Sequence, residues 1–582
     1  MVLNNNIEVG SIDFLLDKWK IEEVYGEDTD YKPPLYLFKN SVQALELLHK
    51  HIENNSRIIF HTDVDLDGIG TTFIIKRTLE KLGSNQHIAM INKEKIHGIQ
   101  KKHAEYVNTT RCADLVVITD SSSNEVDIIK QFNCDVLCID HHEMEHTETK
   151  GKCLDGIHEY VIVNNTLDNT SEDFHQAHKW LQSKSTRQLP NCNEYLADRA
   201  MSCGVVVYEF LRLYGYAYDC ILTLEQSKLV QWAAITLYTD VIDTINQRNQ
   251  WYLSQTLMNP DVEYTLRVML SVLTSYKGIS YKSMIDKNYI QYKFAPVINK
   301  AIRAGHGNDV LDIILNEPAR ILDMQKYGEL QVDAVERATT TYEIEDNSGL
   351  KKRVDRKCNT RGIIELNTKG LNIHPNYFGV IAGKLCDKYK HCAVVYTETK
   401  GTDINGNDID ILKGSFRGGI KTIDYRKAFL EHTSGDFLVK AQGHKTAFGF
   451  EATPEQTYDI MKKLTDLENS TTDTKPFLTI GDMAPSEMGT YHIDNFDDFK
   501  RKGGLISLAT GNSRVITNDE IMMRVRLVDV ELESVKQTAN YSVYSYKFGN
   551  LSCISFNEIK SIYADIYVEM NNRLDAYIKE AR

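Results

Sequence analysis

No run of about 18 apolar residues occurs in the chain. The opening MVLNNNIEVGSIDFLLDKWK also lacks a basic stretch followed by an apolar core and a small-residue cleavage site. Neither a membrane span nor a secretory leader is therefore expected. Any C-x-x-C pair is missing too: the eleven cysteines are scattered and odd in number, which argues against a disulfide framework and a structural zinc site and fits a reducing cytoplasm. Positive charge is in deficit. A net charge of −14 argues against indiscriminate polyanion binding, although KKRVDRK (Lys351 to Lys357) and KRKGG (from Lys500) could still line a groove. What remains is an ordinary soluble composition, 42% hydrophobic and 25% charged, over 582 residues. That length is too great for one core and suggests three or four domains.

Against this background RIIFHTDVDLDGIGTTFIIKRTLEK (Arg57 to Lys81) places one histidine and three aspartates between two apolar runs. Asp63, Asp65, Asp67 and Gly68 fit positions 1, 3, 5 and 6 of an EF-hand, but position 12 is Ile74 where a bidentate Glu is needed, and RIIF reads as a buried strand where a helix should enter. The following apolar residues Ile75, Leu79 and Leu82 recur at helical spacing. The unit is thus strand, acidic loop, helix, and ligands bind in open α/β sheets at such strand ends.

The pattern repeats. Leu115 to Thr119 reads as a buried strand delivering Asp120, CDVLCIDHHEME delivers Asp140, His141 and His142, and a helical apolar stretch in LVQWAAITLYTDVIDT ends at Asp240 and Asp243. Any one of these aspartates alone reads as a cap or turn residue. Converging, they would repel one another unless cations sat between them. Carboxylates with one or two imidazoles and no thiolate suit Mn²⁺ or Mg²⁺, and two such ions about 3.5 to 4 Å apart are the usual apparatus for hydrolysing a phosphate ester.

The Asp140-His141-His142 triplet, with HTDVDLDG and VITD before it and LYTDVIDT after it, resembles the DHH phosphoesterase superfamily. Further on, HPNYFGVIAGKL (His374 to Leu385), GSFRGG (Gly414 to Gly419) and QGHKTAFGF (Gln442 to Phe450) resemble the DHH-associated domain of RecJ nucleases. APVINKAIRAG (Ala295 to Gly305) resembles the RecJ segment that carries an Asn and an Arg, here Arg303, toward the cleft. The sequence departs from the RecJ pattern at Gln442, Phe448 and Gly418, which stand where relatives have Gly, Ala and Ser, and these changes are expected on the nucleotide-facing wall.

The resemblance implies an α/β fold: a DHH domain with a parallel sheet (1–310), a helical connector (311–350, with Ile313 to Ala338 helical in pattern), a DHH-associated α/β domain (351–470) and a β-rich, OB-like C-terminal region (471–582). In that C-terminal region Tyr541, Tyr544 and Tyr546 are candidate base-stacking residues, and the stretch Ile559 to Arg582 reads as an amphipathic terminal helix. Thr166 to Pro190 is polar and reads as an insertion or long surface loop.

Carried over by residue, the resemblance assigns His61, Asp65 and Asp120 to one metal and Asp67, Asp120, His141 and Asp240 to a second, with Asp120 as the bridge. Asp65 and Asp67, two apart in an extended loop, point the same way, which suits this division. His142 would touch the scissile phosphate. Asp63 would hold a ligand or a loop amide in place, and Asp140 would orient the loop or a histidine. Arg303, Ser415, Arg417 and His444 would grip substrate. The activity implied is a Mn²⁺- or Mg²⁺-dependent 5′→3′ exonuclease that degrades single-stranded DNA to 5′-mononucleotides in repair or recombination, in the cytoplasm. A phosphodiesterase of short oligoribonucleotides or cyclic dinucleotides is the enzyme alternative, and a non-catalytic nucleic-acid-binding replication scaffold is the alternative of another class.

Overall fold

The apolar run after Arg57 becomes strand β1 (Ile58–Thr62), with helix α1 (Ser41–Glu53) before it and helix α2 (Leu66–Lys81) after the acidic loop. The computed structural model describes residues 31–327 apart from 93–96, 194–199, 241, 243–245, 258–260 and 278–288. It also describes residues 363–470 apart from 370–372, 390–391, 420–422 and 432–436, together with strands at 8–9 and from 478 onward. Asp243, Tyr541, residues 328–338 of the expected connector and both basic segments lie outside the described residues.

Strands β2 (His87–Ile91), β3 (Leu115–Thr119), β4 (Asp135–Asp140), β5 (Lys150–Lys152) and β6 (Glu159–Asn164) join β1 in a six-stranded sheet of order β2-β1-β3-β4-β6-β5. Every pair is parallel except β5 with β6. The central strands β1, β3 and β4 are buried throughout because both faces are covered. Ile58, Phe60, Val117 and Ile139 enter one core, while Ile59, Val116, Ile118 and Cys138 enter the other. The chain leaves β1 for β2 on one side and returns to β3 on the other, so a crevice opens at the carboxyl ends of β1 and β3.

Two expectations for this half are corrected. Within Thr166 to Pro190 the chain forms helix α4 (Ser171–Lys184), begun by a capping box in which Thr170 and Asp173 satisfy each other's backbone amides. Its outer face is polar, but Ala177 and Leu181 are buried in the main core, which fixes the helix to the domain. The boundary expected at 310/311 falls inside helix α7 (Gly307–Leu315), whose Ile313 and Ile314 join Ile321 and Met324 in that same core. The first half therefore extends past residue 310.

Helices α5 (Cys203–Ala217) and α6 (Val230–Thr239) pack on α2. Their approach is set by small residues: a Cβ on Gly204 would fall 2.9 Å from Thr236 Cβ, and one on Gly70 would fall 2.8 Å from Thr236 Cγ2. Thr236 cannot retreat, because it is fully buried and hydrogen-bonded to Ser202 Oγ at 2.8 Å and the Ala233 carbonyl at 2.7 Å.

The second half holds β7 (Ile363–Asn367), α8 (Phe378–Tyr389), β8 (Cys392–Thr402), β9 (Asp408–Arg417), β10 (Lys440–His444) and β11 (Ala447–Ala452), with sheet order β7-β8-β9-β11-β10. Two sequence departures are explained by packing. The Tyr425 ring lies against the Cα of Gly418, leaving no room for a side chain there. Phe448 is buried and stacks on Phe416 with ring centroids 4.9 Å apart, so this departure belongs to the core and not to a nucleotide-facing wall.

From residue 478 on, seven strands with Glu8–Val9 form an eight-stranded sheet, as the β-rich expectation has it. Among the described residues no pairing closes it into a barrel. The expected terminal helix is instead two antiparallel strands, Tyr563–Met570 and Leu574–Ala581. The pattern accounts for this: Ala564, Ile566, Val568 and Met570 alternate with Tyr563, Asp565, Tyr567 and Glu569, a period of two.

A methyl group added at Gly204 has nowhere to go. Gly204→Ala should destabilise the first half by about 1–3 kcal/mol, measured by denaturant unfolding, and should weaken divalent-cation affinity by shifting the start of α5. An unchanged midpoint together with unchanged affinity would show that this helix contact does not set the site.

Candidate metal centre

Strand register creates the site. Thr62, Thr119 and Ile139 form one rung across β1, β3 and β4, so the residues that follow, Asp63, Asp120 and Asp140, stand in a row at the strand ends. All three are buried, at 1%, 2% and 1% exposure. Beneath them the hydroxyls of Thr62, Thr72 and Thr119 are linked at 2.7 and 2.8 Å, fastening α2 across the ends of β1 and β3. Asp120 holds a left-handed backbone (φ 65°), which aspartate tolerates better than most residues and which is the kind of strain that clusters at functional sites.

Around Asp120 the start of α5 positions two further groups. The amides of Cys203 and Gly204 donate to the Asp67 carboxylate at 3.0 and 3.1 Å, and Thr71 Oγ1 donates at 3.2 Å. The Met201 carbonyl sits 3.0 Å from His141 Nδ1. A carbonyl only accepts, so Nδ1 carries the proton and Nε2 turns to the carboxylates. Nε2 lies 3.2 Å from Asp120 Oδ1, 3.6 Å from Asp240 Oδ2 and 3.9 Å from Asp67 Oδ2. Asp240 arrives at the C-terminal end of α6.

The electrostatics record the crowding. Burial pushes the Asp67 carboxyl from 3.8 up to about 8, with Asp240 and Asp65 adding repulsion against the pull of His141. Asp120 is likewise driven well above the carboxylate range by burial and then by Asp67. His141 is raised well above the usual imidazole range because Asp240, Asp120 and Asp67 together outweigh its burial. Two aspartates go the other way. Burial pushes Asp140 up, but His142, His141 and the Ser123 contact hold it below the usual range; the same opposition leaves Asp63 lowered, through His97, His142 and the Gly98 amide.

Ligand atoms lie within 4.8 Å of one another in three groups: Asp67–His141–Asp240, Asp120–His141–His142 and Asp63–Asp65–His97. The set expected for the second ion is thus gathered, with His141 at its centre. The set expected for the first is gathered differently, since Asp65 meets Asp63 and His97. His61 stands in β1 at 2% exposure, and neither ring nitrogen has a hydrogen-bond partner. Burial and the neighbouring His103 hold its pKa down to about 3, so the ring is neutral and ligand-ready. His61 lies outside the three groups, and it is the set around His141, where Asp67 and Asp120 resist ionisation, that fits a divalent cation.

Sequence reading missed His97, which lies 34 residues from Asp63 and contacts it at 2.6 Å. It also missed His103, whose ring is 4.8 Å from that of His61. The one available signal for His97 was the HGIQ stretch a few residues after β2.

Arg303 lies in a π-helical turn (Ile302–His306) broken by Gly305 at φ 90°, and its guanidinium feels Asp65. Asn376, just before α8, donates to the Arg303 carbonyl at 3.1 Å, and Arg426 pairs with Glu145, so the two halves meet beside the site. Arg417 ends β9 with its guanidinium against Gly379 in the first turn of α8, where a Cβ would fall 2.5 Å from Nη2. Burial and then the nearby Arg303 lower its pKa to about 10. Ser415 stands two residues earlier in β9, and Arg417 and His444 both pair with Ala447, one on each side of β11. His444 is placed by this register alone.

Residues 57–226, which carry most of this constellation, match the DHH family, N-terminal domain. Curated relatives include an SPbeta prophage-derived single-strand DNA-specific exonuclease, YorK, of Bacillus subtilis (22% identical, covering 71% of this chain and 66% of that protein). Another is the single-stranded-DNA-specific exonuclease RecJ of the same organism (19% identical, covering 92% of this chain and 60% of that protein). The chain thus spans under two thirds of the length of RecJ and 66% of that of YorK. Among solved structures, RecJ from Thermus thermophilus in complex with Mn²⁺ superposes with a TM-score of 0.66 at 15% identity, covering 100% of this chain and 80% of that one. The same enzyme with Mg²⁺ gives 0.62. Over residues 57–226 the chain thus matches the DHH family, and its fold is similar to that of RecJ.

The raised carboxyls set a pH dependence. Between 3.8 and about 8 the folded chain keeps a proton on Asp67 that the unfolded chain releases. The contribution of this group to stability therefore falls as pH rises through that window, and His141 acts in the same direction. A bound cation replaces the proton. The rise in Tm produced by Mn²⁺ over EDTA should be larger near pH 8 than near pH 5; an equal rise at both would separate the cluster from cation binding.

Proposed function

We propose that the protein is a metal-dependent 5′→3′ exonuclease that degrades single-stranded DNA to 5′-mononucleotides, working in the cytoplasm. The observation that carries this reading is the buried Asp67–Asp120–His141–Asp240 cluster at the switch point, with the mutually repelling Arg303 and Arg417 beside it. Asp67, Asp120, His141 and Asp240 would hold one divalent cation, and Asp65 with His61 and Asp120 would hold another, Asp120 being shared. Such ions, Mn²⁺ or Mg²⁺, supply an activated water and neutralise charge on the attacking and leaving oxygens. The named exonuclease relatives support the choice of single-stranded DNA.

The roles of the side chains follow from their settings. His141 is locked in one tautomer by Met201, and His142 is held through Nδ1 by Asp140 at 2.8 Å, so that as an imidazolium it could donate its Nε2–H to the phosphate under attack. Arg303, which also feels Asp65, and Arg417, near the first turn of α8, repel each other and would be relieved by a phosphate between them. Ser415 and His444 would line the same wall. An intact duplex could not bring its backbone to the row of aspartates without unpairing.

End-labelled strands with Mn²⁺ test the reaction. A 5′ label should appear first as mononucleotide, while a 3′ label stays on a shortening strand, and Asp120→Asn should abolish both while DNA still binds. Long single strands left intact while cyclic dinucleotides or very short RNAs are cut would sink the assignment, and binding without any cleavage would indicate a scaffold.

For the second wall, Arg417→Ala should raise KM for single-stranded DNA by roughly tenfold or more, the cost of about 1.5–3 kcal/mol for a hydrogen bond to a charged group. Bound Mn²⁺, measured by metal analysis, should stay at the wild-type level. Loss of the metal along with binding would assign Arg417 to structure.

A further inference from the structure

The row of aspartates has a symmetry that the proposed chemistry does not use. Asp63 and Asp140 flank Asp120 on the two neighbouring strands, one residue past the same rung. Each is 1% exposed, and each is bonded to a histidine through Nδ1: His97 to Asp63 at 2.6 Å and His142 to Asp140 at 2.8 Å. Each carboxylate also accepts backbone amides, from Gly98 at 3.3 Å on one side and from Ser123 at 3.0 Å and His141 at 2.7 Å on the other. The histidine side chains are exposed to similar extents, 35% for His97 and 29% for His142. A carboxylate only accepts, so in both pairs the Nδ1–H points inward, and it is the imidazolium form, with a second N–H on Nε2, that can donate to a phosphate.

We propose that His97 is a second phosphate-binding histidine, the counterpart of His142 on the opposite flank of Asp120, and that it takes the phosphodiester next to the one being cut. This rests on the reading of the site as a nuclease centre. The two pairs are two strand spacings apart, about 10 Å. That span is wider than one phosphate group and suits two successive ones, so a polynucleotide laid across the row would meet His142 at the reacting phosphate and His97 at its neighbour. The remaining role for His97, ligation of a cation with Asp63 and Asp65, makes the opposite demand on metal content.

The test compares wild type, His97→Ala and His97→Asn on a single-stranded oligonucleotide and on bis(p-nitrophenyl) phosphate, which carries only one phosphodiester. His97→Ala should raise KM for the oligonucleotide by roughly tenfold to a hundredfold, with a much smaller effect on the one-phosphate substrate. His97→Asn, which keeps a side-chain donor, should recover part of that loss, and bound Mn²⁺ should match wild type. Equal losses on both substrates, depletion of Mn²⁺, or no change on either would overturn the role of His97. Failure of the wild type to cut the oligonucleotide would instead overturn the nuclease reading itself, so the two failures are distinguishable.

Discussion

Three carboxylates and an imidazole share a space from which water is largely excluded, and that repulsion governs the first half of the molecule. Asp67, Asp120 and Asp240 surround His141 Nε2 within 3.9 Å. Carboxylates so placed either keep protons or admit cations. The surroundings are arranged to tolerate this. The amides at the start of α5 face Asp67, the Met201 carbonyl fixes the His141 tautomer, and the chain of threonine hydroxyls holds α2 in place below. Removing the amides would leave Asp67 without its backbone donors, and the packing of Gly204 against Thr236 helps to hold one of them in place.

Topology converts that local chemistry into a cleft. The crossover that places β2 and β3 on opposite sides of β1 opens the sheet where Asp63 and Asp120 emerge. Parallel register then levels Asp140 with them. The second half contacts the first through Asn376 with Arg303 and Arg426 with Glu145. Glu145 lies three residues beyond His142, so one contact between the halves is made by the same loop that presents the histidines.

Much of this was legible in the sequence, for a physical reason. Buried parallel strands have an unmistakable composition, and residues delivered at their ends follow at once in the chain, so Asp120, Asp140, His141 and His142 were readable beside their strands. Groups that join the site through space were not. His97 is 34 residues from the carboxylate it touches, and the amides of Cys203 and Gly204 carry no side-chain signal. Helix α4 was hidden by its polar outer face, with its start marked only by Thr170 and Asp173. At the other end of the chain, charged and apolar residues mixed at short range suggested a helix over residues 559–582. The alternation of Ala564, Ile566, Val568 and Met570 is the feature that decides for strands.

The order in which the chain supplies these groups has a bearing on how the protein matures. The Asp-His-His motif is finished at His142, but Asp67 gains its amide partners only with residues 203 and 204, and Asp240 comes later still. During synthesis an N-terminal segment ending soon after the motif would hold the aspartate row without the helices that shield it. Any cation the cluster holds would thus be admitted with the folding of α5 and α6 and not with translation of the motif. Arg303 and Arg417 follow after that, so the carboxylate cluster precedes the arginines proposed to face a substrate.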